Sequence, residues 1–409
     1  RFATELGYDG YPGMRKAMQE MVRSRLTSVQ RIAVAKDMLD GSNVLKAVMS
    51  TDIEKLQSTL EEVDRAILRK EGKLAVQYGS ARGYLPLREK IAQRMKTAFF
   101  ADCAADDILI TSGSQQGLSM LGQLFLNKDD VVLVESPTYL GAINAFRTSS
   151  PRFVEVPTDN EGILPEELEK ILAREDRVRM IYVIPTFQNP AGVTWTMERR
   201  KAFMDVVSKY DIPVLEDNPY GELRYDGEAL PSLKSMDEKG NVVFLGSFSK
   251  VLMPGLRVGW IAANSEILKK LELLKQLVDL QSSSFAQRQI SYFMGMYDLD
   301  AHIAKMKVVY KRRRDLICDA IRKYFPENVS ATHPEGGLFV WVTLPEGMDA
   351  KKLMEKTMEK KVAYVPAASF YPNGGNENHF RLNFSTMNEA RIEEGIRILA
   401  EVLRAELEA

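Results

Sequence analysis

From about residue 105 the chain alternates short, continuous apolar runs with stretches long enough for helices. The runs are "DDILITSG", "DVVLVESP", "RMIYVIPT", "IPVLEDNP", "VVFLGSFS" and "LRVGWIAA", and "MERRKAFMDVVSKY" is one of the helical stretches between them. Strands that are apolar without alternation are buried on both faces, and helices between them make their pairing largely parallel. The pattern predicts an α/β fold with a large, mostly parallel sheet flanked by helices. In such sheets ligands bind at the carboxyl ends of the strands. Here the strand ends read TSGSQQ, ESPTY, TFQNP, EDNPY and GSFSK, small and polar residues suited to building a site.

Two regions differ from this repeat. After about residue 300 a basic helix ("KMKVVYKRRRDLICDAIRKYF") precedes "GGLFVWVTL", a helix near "DAKKLMEKTMEK", and "HFRLNFST". That is an α+β pattern, expected to form a smaller C-terminal domain over 301–409. Its "KRRR" run reads as a solvated helix face. Residues 1–66 carry apolar residues at three- and four-residue spacing ("MRKAMQEMVRSRL", "VLKAVMSTDIEKLQSTLEEVDRAIL") and read as a helical N-terminal arm. The expected domains are therefore 1–66, 67–300 and 301–409.

Net charge is −1, which argues against a chain built wholly around nucleic-acid phosphates. Two cysteines, Cys103 and Cys318, and three histidines are too few and too scattered for a Cys/His metal site. With no CxxC and no signal-peptide pattern, reduced thiols in a cytoplasmic protein are the expectation. No apolar run is long enough to span a membrane.

The strand ends carry the chemistry. "TSGSQQG", Thr111 to Gly117, leads into an apolar helix whose N-terminus can hold a phosphate, although an ordinary strand-to-helix turn reads the same way. "ESPTY" sets Tyr139 after a strand, where a ring could cover a flat ligand or fill the core. Asn189 lies in a proline-rich turn. "EDNPYG" puts Asp217 at the end of an apolar strand, three residues before Tyr220. A buried acid is costly without a partner, and a positive one is expected. "GSFSKVLMPGLRVGW" then sets Lys250 beside Ser247, Ser249 and Arg257. A partly desolvated lysine near other cations is a nucleophile toward aldehydes, while two hydroxyls and an arginine suit a phosphate dianion. One ligand needs all these parts: a phosphorylated aromatic aldehyde with a ring nitrogen, pyridoxal 5′-phosphate.

The chain from about residue 67 onward resembles a fold-type I, class I aminotransferase. It is closest to the 2-aminoadipate and kynurenine aminotransferases and to the aminotransferase-like halves of MocR-type regulators. The motifs that carry this are "YGSARGYLPLREKIA", "TSGSQQGL", "ESPTYLGAINAF", "PTFQNPAGVTW", "EDNPYGELRY", "SFSKVLMPGLRVGW" and "FRLNFS". The resemblance implies a seven-stranded large sheet and a homodimer with shared active sites. It implies that Lys250 forms the Schiff base and shuttles the proton, and that Asp217 pairs with the ring nitrogen. Asn189 and Tyr220 would donate to the ring hydroxyl, and Tyr139 would stack on the ring. Gly113, Ser114, Gln115, Ser247, Ser249 and Arg257 would hold the phosphate, with Tyr78 reaching the neighbouring subunit's cofactor. Arg381, with Asn189, would bind the substrate carboxylate. The implied reaction moves an amino group between an L-amino acid and a 2-oxo acid such as 2-oxoglutarate.

The N-terminus departs from that family, because the Gly-Gly-Leu-Pro-like turn usual before "YG" is absent. "RFATELGYDGYPGMRKAMQE" instead resembles the end of an RpiR-type helix-turn-helix domain, and "DIEKLQSTLEEVDRAI" its linker helix. On that resemblance "RFA" belongs to the recognition helix, and the preceding helices would lie ahead of Arg1. It implies a DNA-binding regulator, using the cofactor as effector, as the alternative function.

Overall fold

The structure, a computed structural model, describes residues 53–408. The RpiR-like stretch "RFATELGYDGYPGMRKAMQE" and most of the predicted N-terminal arm lie outside this range, while the stretch likened to the linker helix, residues 52–67, falls almost wholly within it. The first described element is helix α1, Ile53–Ala75, whose Glu71 leaves helical geometry (φ −133°, ψ 18°). It buries Val63 and Ile67 completely.

All six predicted strands form: β1 (Ile108–Thr111), β2 (Val131–Ser136), β5 (Val178–Val183), β6 (Val214–Asp217), β7 (Val242–Ser247) and β8 (Gly259–Ala262). Between β2 and β5 lie β3 (Arg152–Asp159) and the two-residue β4 (Gly162–Ile163). The sheet order is β1-β8-β7-β6-β5-β2-β3-β4. From β7 to β3 neighbouring strands pair in parallel, while β8 runs antiparallel to both β1 and β7 and β4 antiparallel to β3. The strand beyond the expected seven is β4, a short hairpin return on the edge strand β3.

Residue alternation explains how the sheet is covered. Val132 and Val134 of β2, with Leu215 and Leu245, pack toward α3 (Ser114–Phe125), α4 (Leu140–Arg147) and α7 (Ser265–Val278). Val131 and Leu133 point the other way, against Leu168 and Ile171 of α5 (Pro165–Arg174) and Phe203 of α6 (Met197–Val207). Burial on both faces is why these strands read as unbroken apolar runs. A third apolar cluster joins Val63, Ile91 of α2 (Leu85–Phe99), Phe244 and Ile290 of α8 (Ser284–Met296) to Val340, Val342, Phe380 and Leu399.

The last four of these belong to the C-terminal region. There α9 (Leu299–Tyr324), α10 (Ala350–Glu359) and α11 (Glu389–Leu407) accompany a four-stranded antiparallel sheet of order β11-β12-β10-β9. Its strands are β9 (Ser330–Ala331), β10 (Phe339–Thr343), β11 (Val365–Pro366) and β12 (His379–Asn383). We propose the domain division between the two sheets, near residue 300. At the other expected boundary α1 runs on through residues 66 and 67.

The "KRRR" run does not form a solvated face. Arg313 and Arg314 are 5% and 1% exposed. Arg313 donates to Ser385 O at 2.7 Å, and Arg314 to Pro334 O and Asp226. These guanidinium groups tie α9 to the loops on either side, and only Arg312 of the three stays largely outside.

Arg200, fully buried on α6, does similar work next to the strand ends. It donates to Trp195 O (3.2 Å), Pro185 O (2.9 Å), Thr186 Oγ1 (2.8 Å) and Pro231 O (3.0 Å), pinning the 185–195 loop. Burial draws its guanidinium down to about 10. Arg200→Met should destabilise the protein by about 3 kcal/mol, because several buried acceptors lose their donor at once. Thermal melts of the two purified proteins check this.

Candidate active site

The sequence-picked residues converge at the carboxyl ends of β5, β6 and β7 and on the facing strand β12. Asp217, the last residue of β6, is 2% exposed. Its partner is a hydroxyl rather than the expected cation: Tyr182 Oη, from the neighbouring strand β5, donates to Asp217 Oδ2 at 2.8 Å. Asp217 Oδ1 is buried with no hydrogen-bond partner. Burial pushes the carboxyl up to about 7, against the lowering effect of the Tyr182 bond.

Three further residues form a chain beside it. Arg381 Nη1 donates to Asn189 Oδ1 at 2.7 Å, and Asn189 Nδ2 reaches Tyr220 Oη at 3.4 Å. Asn189 and Tyr220 are 3% and 5% exposed, and the Asn189–Pro190 peptide is cis. The Arg381 guanidinium carbon lies 4.2 Å from the ring centre of Phe339 and 5.2 Å from that of Phe370. Phe339 in turn meets Tyr220 edge to face at 5.6 Å. Stacking on ring faces favours the cation and fixes the plane of its fork.

The third group is a cup. Gly113 (φ 81°) caps the start of α3, and a Cβ there would lie 2.5 Å from Arg257 Nη2. The arginine is thus laid against the helix N-terminus, where Ser114 opens the first turn. A Cβ on Gly259 would stand 2.8 Å from Ser114 N, so β8 also presses on this turn. Arg257 itself adopts left-handed geometry (φ 51°), and its Nη1 donates to Ser249 Oγ at 3.4 Å. Ser249 N donates to Ser247 Oγ at 3.1 Å. Lys250 follows directly, half-buried. Hydroxyls, a guanidinium and a helix N-terminus brought together are groups that suit an anion.

Tyr139 caps α4 with its ring over Gly141, where a Cβ would fall 2.5 Å from Tyr139 Cζ. Gln115 is exposed and its side chain donates to Gly141 O at 2.8 Å, linking α3 to α4. Tyr78 stands apart from this group, 83% exposed on its own chain.

Residues 47–399 match the family described as aminotransferase class I and II. The chain belongs to that family and is an aminotransferase. An aromatic-amino-acid aminotransferase of Thermococcus litoralis is 42% identical over 95% of this chain and 93% of its own length. A 2-aminoadipate transaminase of Thermus thermophilus is 38% identical over 84% of this chain and 85% of its own. The crystal structure of Pyrococcus horikoshii kynurenine aminotransferase, in complex with PMP, superposes with a TM-score of 0.83. That structure is 42% identical and covers 86% of this chain and 88% of its own. A protein named as a helix-turn-helix transcriptional regulator, from Bacillus subtilis, matches at 29% identity over 95% of this chain and 77% of its own.

Pyridoxal phosphate is the cofactor of this aminotransferase, and its residues fit that group. Asp217 Oδ1 is a buried acceptor lacking a donor, which a protonated ring nitrogen would supply. The Gly113–Arg257 cup leaves no room for a β-carbon yet collects donors for a dianion.

Sequence reasoning missed Tyr182, Phe339 and Phe370. A lone hydroxyl inside the apolar run "RMIYVIPT" was the available sign of Tyr182, because a buried tyrosine needs a partner. Phe339 and Phe370 have no such sign, since aromatic residues in apolar segments read as core.

The raised Asp217 carboxyl has a consequence for stability without cofactor. In the unfolded chain Asp217 loses its proton near pH 4, whereas in the fold it keeps it until about pH 7. Between those values the unfolded state binds fewer protons, so stability falls as pH rises, by up to about 4 kcal/mol from this group. Asp217→Asn should flatten that slope in the cofactor-free protein and match or exceed wild-type stability at pH 7.5. Melting temperatures of both proteins across pH 4–8 measure it.

Proposed function

We propose that this aminotransferase moves the amino group of an L-amino acid to a 2-oxo acid such as 2-oxoglutarate, with Lys250 carrying the cofactor and moving the substrate's α-proton. The observation that carries this reading is the buried Asp217 carboxylate, one oxygen bonded to Tyr182 and the other without a partner, at the strand end next to that of Lys250. An acid left in that condition costs stability unless something cationic is meant to face it.

When bound, the cofactor would supply an electron sink for the substrate's α-carbon. The chain's residues do the rest. Ser114, Gln115, Ser247, Ser249 and Arg257 would anchor the phosphate, and Tyr139 would cover one ring face. Asn189 and Tyr220 would hold the ring hydroxyl. Arg381, kept planar between Phe339 and Phe370, would take the substrate α-carboxylate in its fork. Lys250 Nζ, as general base, accepts the α-proton and then returns it. Leu245, Val243 and Leu215 beneath the strand ends are completely buried and keep water from that side.

Tyr78 supports a homodimer. Its 83% exposure lies on a stretch where Leu74 and Val76 are also 62% and 73% exposed, and Leu273 and Leu277 of α7 are exposed as well. A second copy would cover these apolar groups and give Tyr78 a neighbour's phosphate to reach.

The regulator relatives favour one second reading, in which the same cofactor site serves as the effector domain of a DNA-binding protein. A gel shift with the whole chain and DNA upstream of its own gene, at low salt, separates the two; no shift removes the second reading.

An aromatic amino acid, named for the Thermococcus relative, is the first donor to assay, with 2-oxoglutarate as acceptor. Lys250→Ala should lower turnover by about 10³-fold or more and remove the visible absorption expected when the cofactor is joined to that lysine. Arg381→Met should raise KM for donor and acceptor together, by roughly 100-fold. Wild-type turnover in the Lys250 variant would defeat the assignment.

A further inference from the structure

Next to the cup, joined to it through Ser112 and Gln116, lies a second polar cluster that none of the roles above uses. Lys275 of α7 is completely buried, and its ammonium is surrounded by acceptors. Asp279 Oδ1 and Oδ2 lie at 2.9 and 3.0 Å, Gln116 Oε1 at 3.0 Å and Ser282 Oγ at 3.0 Å. Asp279 Oδ2 also accepts from Gln116 Nε2 at 2.7 Å and Ser112 Oγ at 3.1 Å. Gln116 Oε1 accepts from Ser112 N at 2.7 Å. Ser112 and Gln116 flank Gly113 and Ser114, the residues that form the cup.

Two features show that this cluster is not an ordinary helix end. Asp279 caps the C-terminus of α7, where the helix dipole disfavours an acid. Lys275 gives up its hydration entirely, and burial draws its ammonium below the usual lysine range. The pair therefore sits where neither member is at its best alone.

What the pair accomplishes follows from donor and acceptor counting. A primary amide can turn over, exchanging its oxygen and nitrogen, unless its neighbours forbid it. Asp279 only accepts and Lys275 only donates, so together they leave Gln116 one orientation, with Oε1 toward Lys275 and Ser112 N. That orientation turns the Ser112 N–H away from the cup. Gly113 N is occupied by Thr111 O at 2.8 Å, which leaves the N–H groups of the first α3 turn as the cup's backbone donors.

We infer that Lys275 and Asp279 are positioning residues for the phosphate cup: through Gln116 they hold the Ser112–Gly113 turn in the shape that receives the cofactor's phosphate. The inference rests on the reading of Gly113, Ser114, Ser249 and Arg257 as that cup. The loop after α7 and the start of α8 also serve the neighbouring segment. Gln281 Oε1 accepts from Gly79 N, and Gln287 Oε1 from Tyr84 N at 2.7 Å, so the residue after Tyr78 hangs on the same frame.

The test uses the whole chain, stripped of cofactor and titrated with pyridoxal 5′-phosphate, with inorganic phosphate as competitor. The double substitution K275M/D279L removes both charges together and leaves apolar side chains in their place, an exchange that buried pairs often tolerate. The expected result is a Kd for the cofactor about tenfold higher, the size of one coupled polar contact, with phosphate competing about tenfold less well. Turnover at saturating cofactor should stay within about twofold of wild type, since no group touching the substrate is changed. A purely structural role would lower the melting temperature and leave both constants unmoved, which overturns the inference. Should the double variant not fold, Gln116→Met decides, because it cuts the link while keeping the pair. An unchanged Kd there is equally fatal. Arg257→Ala is the control for the underlying reading. If it too leaves the cofactor's Kd and the phosphate competition unchanged, the cup assignment fails; if it weakens both while the other variants do not, only the inference fails.

Discussion

One buried carboxylate sets the terms for the rest of this molecule. Asp217 ends a strand with neighbours on both sides of the sheet, so nothing polar reaches it from solvent. Tyr182 can reach it because β5 and β6 are parallel and in register, Tyr182 opposite Leu215, which carries both side chains to the same end. That single hydroxyl satisfies half of the acid and does not charge it. A cation brought against the other oxygen restores the ionised form and recovers the cost of burial. The fold thus stores a deficit at the end of β6, and the apolar sheet around it is what makes that deficit large.

Holding the partner groups in place takes a second layer of buried polar residues. Glu135, at the end of β2, accepts from Ile184 N at 2.8 Å and Trp195 Nε1 at 3.2 Å, and burial pushes its carboxyl up to about 8. Gln188 donates to Pro137 O at 2.7 Å and accepts from Ala191 N at 2.8 Å. With Arg200, these bonds fix the turn on which Asn189 stands from both sides. Loops carry function only when something rigid aims them. Here hydrogen bonding adds to the apolar packing of Phe187 and Trp195, both completely buried.

The sheet was legible in the sequence because its strands are buried on both faces and interrupted by polar, small residues at one end only. Strand β3 was not, since "RFVEVPTD" lies toward the sheet edge and is only partly buried, so it lacks the unbroken apolar signal. The site residues Lys250, Asp217, Asn189, Tyr220 and Arg257 stood out because each is a reactive or polar type at a strand end. What could not be read was pairing across distance. "KRRR" looked solvated because its partners, Asp226, Pro334 O and Ser385 O, lie about 70 to 90 residues from it in the chain or are backbone atoms. The Lys275–Asp279 cluster hid for the same reason, as an i,i+4 pair on a helix reads as surface charge.

Arg381 shows why such long-range pairing matters to chemistry rather than to stability alone. Most buried arginines here meet an acid: Arg94 bonds Glu222 and Asp300, Arg288 bonds Glu71, and Arg314 bonds Asp226. Those bridges cancel charge and fasten elements together. The Arg381 bond to Asn189 Oδ1 is to a neutral amide, so it orients the guanidinium without neutralising it. Phe339 and Phe370 add attraction through their ring faces. An arginine held by dipoles and quadrupoles is fixed in direction yet retains its pull on a carboxylate. On the proposed reading this setting suits Arg381 to a substrate carboxylate, whereas the bridged arginines, and Arg200 with its neutral acceptors, fasten the fold.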